Sequence, residues 1–179
     1  MAAMAEPLIL TLIGPKWTQS IIYLQLLCFV GMLNPIHSLN LNILLVFGRS
    51  DLGLKLELIK VIIGIPVIFL GIYFGITTMI IGMIMLSMIT FYINSYWSER
   101  FIEYSINEQI FDMVPYILYA FIIGGIMFFI ANFLNAEPFI ILATQIILGT
   151  FIIIFTSEII RLEAYIEIKE IVLKKFLRR

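Results

Sequence analysis

Gln25, Asn34, His37, Ser38, Asn40 and Asn42 fall inside one long apolar run, together with Pro35. Asn34, Ser38 and Asn42 are spaced i, i+4, i+8 and share one face of a helix, and His37 and Asn40 widen that face into a polar arc. Amide, hydroxyl and imidazole groups in hydrocarbon are costly unless they find partners, so the arc is expected to face other helices or a wet cavity. Pro35 has no N–H to donate and predicts a kink or break at the same place. Two readings fit. The arc contacts a polar substrate on a bendable helix, or its Asn and Ser side chains bond neighbouring helices. His37 adds a group that can hold a proton or a phosphate near neutral pH, although a lone histidine also serves as a hydrogen-bonded packing residue.

The elements that must position these groups are long apolar helices. The chain of 179 residues is 62% hydrophobic and 13% charged, with mean hydropathy +1.09. A water-soluble domain of this size cannot hide so much apolar surface. Five stretches reach the length needed to cross a bilayer, at about 21–46, 58–74, 78–96, 114–133 and 139–160. The second and third are separated by a tight uncharged turn near Gly75-Ile76-Thr77, which predicts a helical hairpin. The fold class read here is all-α integral membrane. Residues 21–160 form a five-helix bundle, residues 1–20 the outer end of a truncated span and an extracytoplasmic loop, and residues 161–179 a basic cytoplasmic tail.

Charge orients the bundle. Arg49, Lys55 and Lys60 fall between the first two stretches, Arg100 between the third and fourth, and Arg161, Lys169, Lys174, Lys175, Arg178 and Arg179 after the fifth. Alternating crossings put all ten on one side, which the positive-inside rule makes cytoplasmic, and leave only Lys16 opposite. Trp17, Tyr96, Trp97 and Tyr165 sit near the ends of the stretches, where amphipathic rings prefer the headgroup layer. Residues 99–113 and the tail after Arg161 read as amphipathic segments on the cytoplasmic surface, and Glu158 and Arg161 as an interfacial ion pair. Gly71 and Gly75 form a GxxxG pattern suited to close packing within the chain. Ser50 or Asp51 is placed to cap the second long helix.

The same inventory excludes several chemistries. Cys28 is the only cysteine, His37 the only histidine, and Asp51 and Asp112 the only aspartates. A Ser-His-Asp triad, a metal centre, a disulfide and a DxD sugar-nucleotide motif are thereby disfavoured, and no cofactor is implied. No basic footprint for nucleic acid is present. The expectation is a protein that is not an enzyme.

Ile13-Gly14-Pro15-Lys16-Trp17, Tyr23-Leu24-Gln25-Leu26-Leu27, Leu39-Asn40-Leu41-Asn42 and Gly48-Arg49-Ser50-Asp51-Leu52 together resemble the C-terminal half of polysaccharide biosynthesis flippases. These are O-antigen and exopolysaccharide transporters of the multidrug/oligosaccharidyl-lipid/polysaccharide exporter superfamily. Asn107-Glu108-Gln109, with Asp112 and Pro115, resembles the family's cytoplasmic segment before a later span. The resemblance runs from about Glu6 onward. It implies a partial C-terminal bundle of an exporter-like fold in a bacterial inner membrane, with the C-terminus cytoplasmic and an N-terminal bundle missing. It also implies a lipid-linked oligosaccharide as cargo and the lipid bilayer as surroundings. On that reading Asn34, His37, Ser38 and Asn42 line the cavity, with Gln25 beside them, and Arg49 is a cytoplasmic cation for the pyrophosphate.

Other functions fit less well. A multidrug exporter would tend to use membrane carboxylates, and no predicted span has one near its centre. A polymerase of the same pathway would need a large extracytoplasmic loop, and the longest here is about 132–138. A small structural or assembly membrane protein without transport activity differs from the flippase reading only through the resemblance.

Overall fold

The computed structural model describes residues 1–134, 136–160 and 165. The basic tail expected over 161–179, Tyr165 apart, lies outside these residues, and with it Arg161 of the expected pair with Glu158. A 3-10 turn, Ala2–Met4, leads into α1, Ala5–Leu12. The longer helices are α2, Ser20–Met32, α3, Asn34–Val46, α4, Ser50–Phe74, α5, Ile76–Ile102, α6, Ile106–Phe133, and α7, Pro138–Ile160. No strand occurs among the described residues. Five helical segments, with α2 and α3 counted as one, are long and apolar enough to cross a membrane.

Each turn has a local cause. Leu33 is the single residue between α2 and α3, and Pro35 sits in the first turn of α3, where its missing N–H costs least. The expected break therefore falls two residues before the proline. Gly75, at φ +94°, ends α4 and begins α5, a backbone conformation that favours glycine. This one-residue turn folds α4 back on α5, as the hairpin expectation required. At Gly71 an added Cβ would lie 2.6 Å from Met79 Cβ, and at Gly82 it would lie 2.7 Å from Val67 Cγ1. The GxxxG pattern is thus divided. Gly71 allows the close approach within the chain, and Gly75 makes the turn.

Three expectations are corrected. The amphipathic segment over 99–113 is not one surface helix. Glu103 takes a left-handed conformation at the end of α5, and Ser105 opens α6 with a capping box. The Ser105 N–H donates to Glu108 Oε2 at 2.7 Å, and the Glu108 N–H donates to Ser105 Oγ at 3.3 Å. Residues 106–113 thus belong to α6. Second, α4 starts at Ser50 rather than near residue 58, so Lys55 and Lys60, expected between the first two stretches, are on its first three turns with Glu57. Third, neither Ser50 nor Asp51 caps α4. Arg49 holds the N-cap position without a side-chain hydrogen bond, and Asp51 instead receives the Arg49 guanidinium at 3.1 and 3.3 Å.

Contacts fix the helix directions. His37 of α3 meets Ser87 of α5, and Asn40 meets Ser95 and Ser98, so these two helices run parallel with the antiparallel α4 beside them. Gln109, in the first turns of α6, meets Asn40 and Ser95, so α6 starts at the end where α5 finishes. One end of the bundle therefore holds residues 47–49 and 103–105, with Arg49 and Arg100. The other holds Lys16, Gly75 and Glu137. At the first end Arg100 donates to the Tyr96 hydroxyl and lies 4.6 and 5.1 Å from the Tyr96 and Trp97 ring centres. There, too, Leu44, Leu52 and Leu56 make a small core covered by Trp97 and Phe101.

The other half of the bundle is closed by glutamines. Gln145 of α7, fully buried, donates to the Met127 carbonyl of α6 at 3.0 Å and to the Ala3 carbonyl at 3.4 Å. Gln25 of α2 donates to the Ala2 carbonyl at 3.4 Å. The 3-10 turn is thus tied to both α2 and α7, and Ala5 and Ile9 of α1 are buried behind it.

Candidate functional site

The polar arc of α3 separates into two environments. Asn40 points inward and is 3% exposed. Its Nδ2 donates to Ser95 Oγ at 3.0 Å and to Gln109 Oε1 at 3.1 Å, and its Oδ1 accepts from Ser98 Oγ at 2.8 Å. Ser95 Oγ donates to Gln109 Oε1 at 2.8 Å, and Gln109 Nε2 donates to the Tyr104 carbonyl at 3.2 Å. Four buried side chains thus satisfy one another and join α3, α5 and α6 at one end. This is the helix-bonding reading of the arc, and it holds for Asn40.

Asn34, His37 and Ser38 lie instead along a cleft of about 530 Å³ between α3, α4 and α5. Glu57 and Lys60 of α4 and Ser87 and Thr90 of α5 complete its polar wall. Asn34 and Ser38 are exposed, with Ser38 Oγ donating to the Asn34 carbonyl at 3.1 Å. His37 Nε2 is 3.2 Å from Ser87 Oγ, while its Nδ1 is buried with no hydrogen-bond partner. Lys60 Nζ pairs with Glu57 Oε1 at 2.7 Å, and the lysine side chain is only 17% exposed.

The remaining predicted site residues fall elsewhere. Asn42 is exposed one turn beyond Ser38 and does not line this cleft. Gln25 holds the N-terminal turn, some way from Asn34 along a different helix. Pro35 faces a second cavity of about 560 Å³ between α3 and α6, which is mainly apolar with Asn40, Gln109, Tyr104 and Asp112 among its lining residues. Tyr104 donates to Asp112 Oδ2 at 2.5 Å, and this carboxylate holds the phenol up to about 12. Arg49 is exposed, forked onto Asp51, and lies 6.0 Å from the Phe101 ring centre, so its charge is already engaged.

Sequence reading passed over the polar seam of α5. Ser87, Thr90, Asn94 and Ser98, three or four residues apart, are all buried with Ser95 beside Asn94, and Ser87, Ser95 and Ser98 bond α3. That spacing, in an otherwise apolar helix, was the available signal. Asn94 is fully buried, and neither its Oδ1 nor its Nδ2 has a partner. Among the described residues no group of three or more His, Cys, Asp or Glu side chains could hold a metal ion. No family model, curated protein or solved structure matches the chain.

Proposed function

We propose that the chain crosses a bacterial inner membrane five times and forms part of a carrier that moves a lipid-linked oligosaccharide. One observation carries this reading most. Asn34, His37 and Ser38 open onto a polar cleft beside a helix break. Exposed amides and hydroxyls facing lipid would lose their water partners, so this side suits a wet path or a second helical bundle. A broken helix at that depth is a common binding element in carriers. The separate apolar cavity between α3 and α6 offers room for a lipid chain near the polar cleft. The motifs between Ile13 and Leu52 supply the resemblance to polysaccharide flippases, and the oligosaccharide cargo rests on that resemblance alone.

The test is replacement of Asn34 and Ser38 by Leu in the chain as expressed in its own cell envelope. Export of lipid-linked glycan is expected to fall several-fold at near-normal protein level, since neither side chain is buried. Unchanged surface glycan would remove these residues from the path.

A further inference from the structure

One ring nitrogen of His37 is engaged and the other is not. Ser87 Oγ has one proton and donates it to the Val30 carbonyl at 3.4 Å. Taking Ser87 as the acceptor from His37 on that basis assigns the imidazole proton to Nε2. That leaves Nδ1 with a free lone pair. Nδ1 is buried and has no donor near it. A basic nitrogen left bare at this depth is unusual, because a packing histidine commonly engages both ring nitrogens.

The ring is not the only ionisable group there. Glu57 and Lys60 of α4 line the same cleft and form an ion pair with each other. His37 lies nine residues before the end of α3 and Lys60 ten residues after the start of α4. At about 1.5 Å per residue both are roughly 14–15 Å from the connection at 47–49, so they share one depth. Among the described residues the other elements lining the cleft offer no charge. The α2 residue is Val30, and α5 contributes only hydroxyls and apolar groups.

We propose that this cleft is an intramembrane proton-binding site, in which His37 Nδ1 accepts a proton from water in the cleft and the Glu57 carboxylate balances the imidazolium. Lys60 holds Glu57 in the unprotonated ring's state and competes with the imidazolium for it in the protonated state. The proton forms a new N–H bond at Nδ1, while Nε2–H stays on Ser87. Uptake changes the charge of the cleft by one and leaves three ionised groups where two were present. Such a change biases how α3 and α4 sit against one another. This inference rests on reading the chain as membrane-spanning but not on any cargo.

His37 is the only histidine, so ring-labelled protein in lipid bilayers gives a single pair of imidazole nitrogen resonances. At high pH the wild-type ring is expected to be protonated on Nε2 and bare on Nδ1. Acidification should convert it to the doubly protonated form. At a fixed pH within the transition, the doubly protonated fraction should fall several-fold in Glu57→Gln and rise several-fold in Lys60→Gln. A wild-type ring that stays in one neutral form throughout overturns the proposal and makes His37 a packing residue. So does a transition that ignores both substitutions while the rest of the spectrum is preserved. The wild-type titration needs no variant to fold. It also needs no transport, so its failure is separate from failure of the glycan-export test.

Discussion

Asn40→Leu is expected to destabilise the folded bundle by about 2–3 kcal/mol, whereas Asn42→Leu, two residues along the same helix, is expected to have little effect. The two asparagines differ in what they touch. Asn40 bonds Ser95, Ser98 and Gln109 in a pocket where all four residues are at most 3% exposed. Leucine fills nearly the same volume but returns nothing to Ser95 Oγ and takes the acceptor away from Ser98. Ser98 can fall back on the Ser95 carbonyl at 3.1 Å, and Gln109 Oε1 keeps Ser95, which limits the loss. Hydrogen bonds between helices in a membrane average less than 1 kcal/mol each, so the estimate supposes that three are lost or weakened together. Denaturant unfolding in micelles, followed by far-ultraviolet circular dichroism, measures the difference. Equal behaviour of the two variants would mean that the Asn40 network does not hold α3 to α5 and α6.

Gly71→Ala is expected to cost up to about 2 kcal/mol, Gly82→Ala somewhat less, and Gly124→Ala nothing. The single methyl at 71 would meet Met79 Cβ, an atom fixed to the α5 backbone, so the two helices must part near their turn. At 82 it would meet Val67 Cγ1, the end of a stiff β-branched side chain. At 124 there is nothing within 4 Å, and alanine adds helix propensity of up to about 1 kcal/mol. The same unfolding measurement ranks the three. If Gly71→Ala were as stable as Gly124→Ala, the α4–α5 hairpin would not be packed as closely as described.

Much of this architecture could be read from the residues. Five apolar runs, the turn at Gly75 and a break near Pro35 all follow from composition and backbone chemistry, which act locally. The capping box was legible too, as Ser105 followed three residues later by Glu108, but the amphipathic spacing of 99–113 ran across it and hid the break. The site was harder. Helical spacing put Asn34, His37, Ser38, Asn40 and Asn42 on one broad face, and spacing alone cannot say which part of that face turns inward. That depends on Ser95 and Ser98, 55 and 58 residues further on, reaching Asn40. Lys55 and Lys60 were likewise placed between the first two stretches, and Glu57 was passed over. In the fold Lys60 and Glu57 are carried on α4 and line the same cleft as His37.

The most direct test of the whole account is cysteine labelling of the chain in intact cells, in a Cys28→Ser background because Cys28 is the only native thiol. Single cysteines at Lys16, Arg49, Arg100 and Glu137 are all at exposed positions. The account predicts that a membrane-impermeant reagent reaches positions 16 and 137 from outside, and reaches 49 and 100 only after the cells are opened. Labelling of 49 or 100 from outside, or of 137 only from inside, would contradict the five-crossing orientation and with it the placement of the His37 cleft within the membrane.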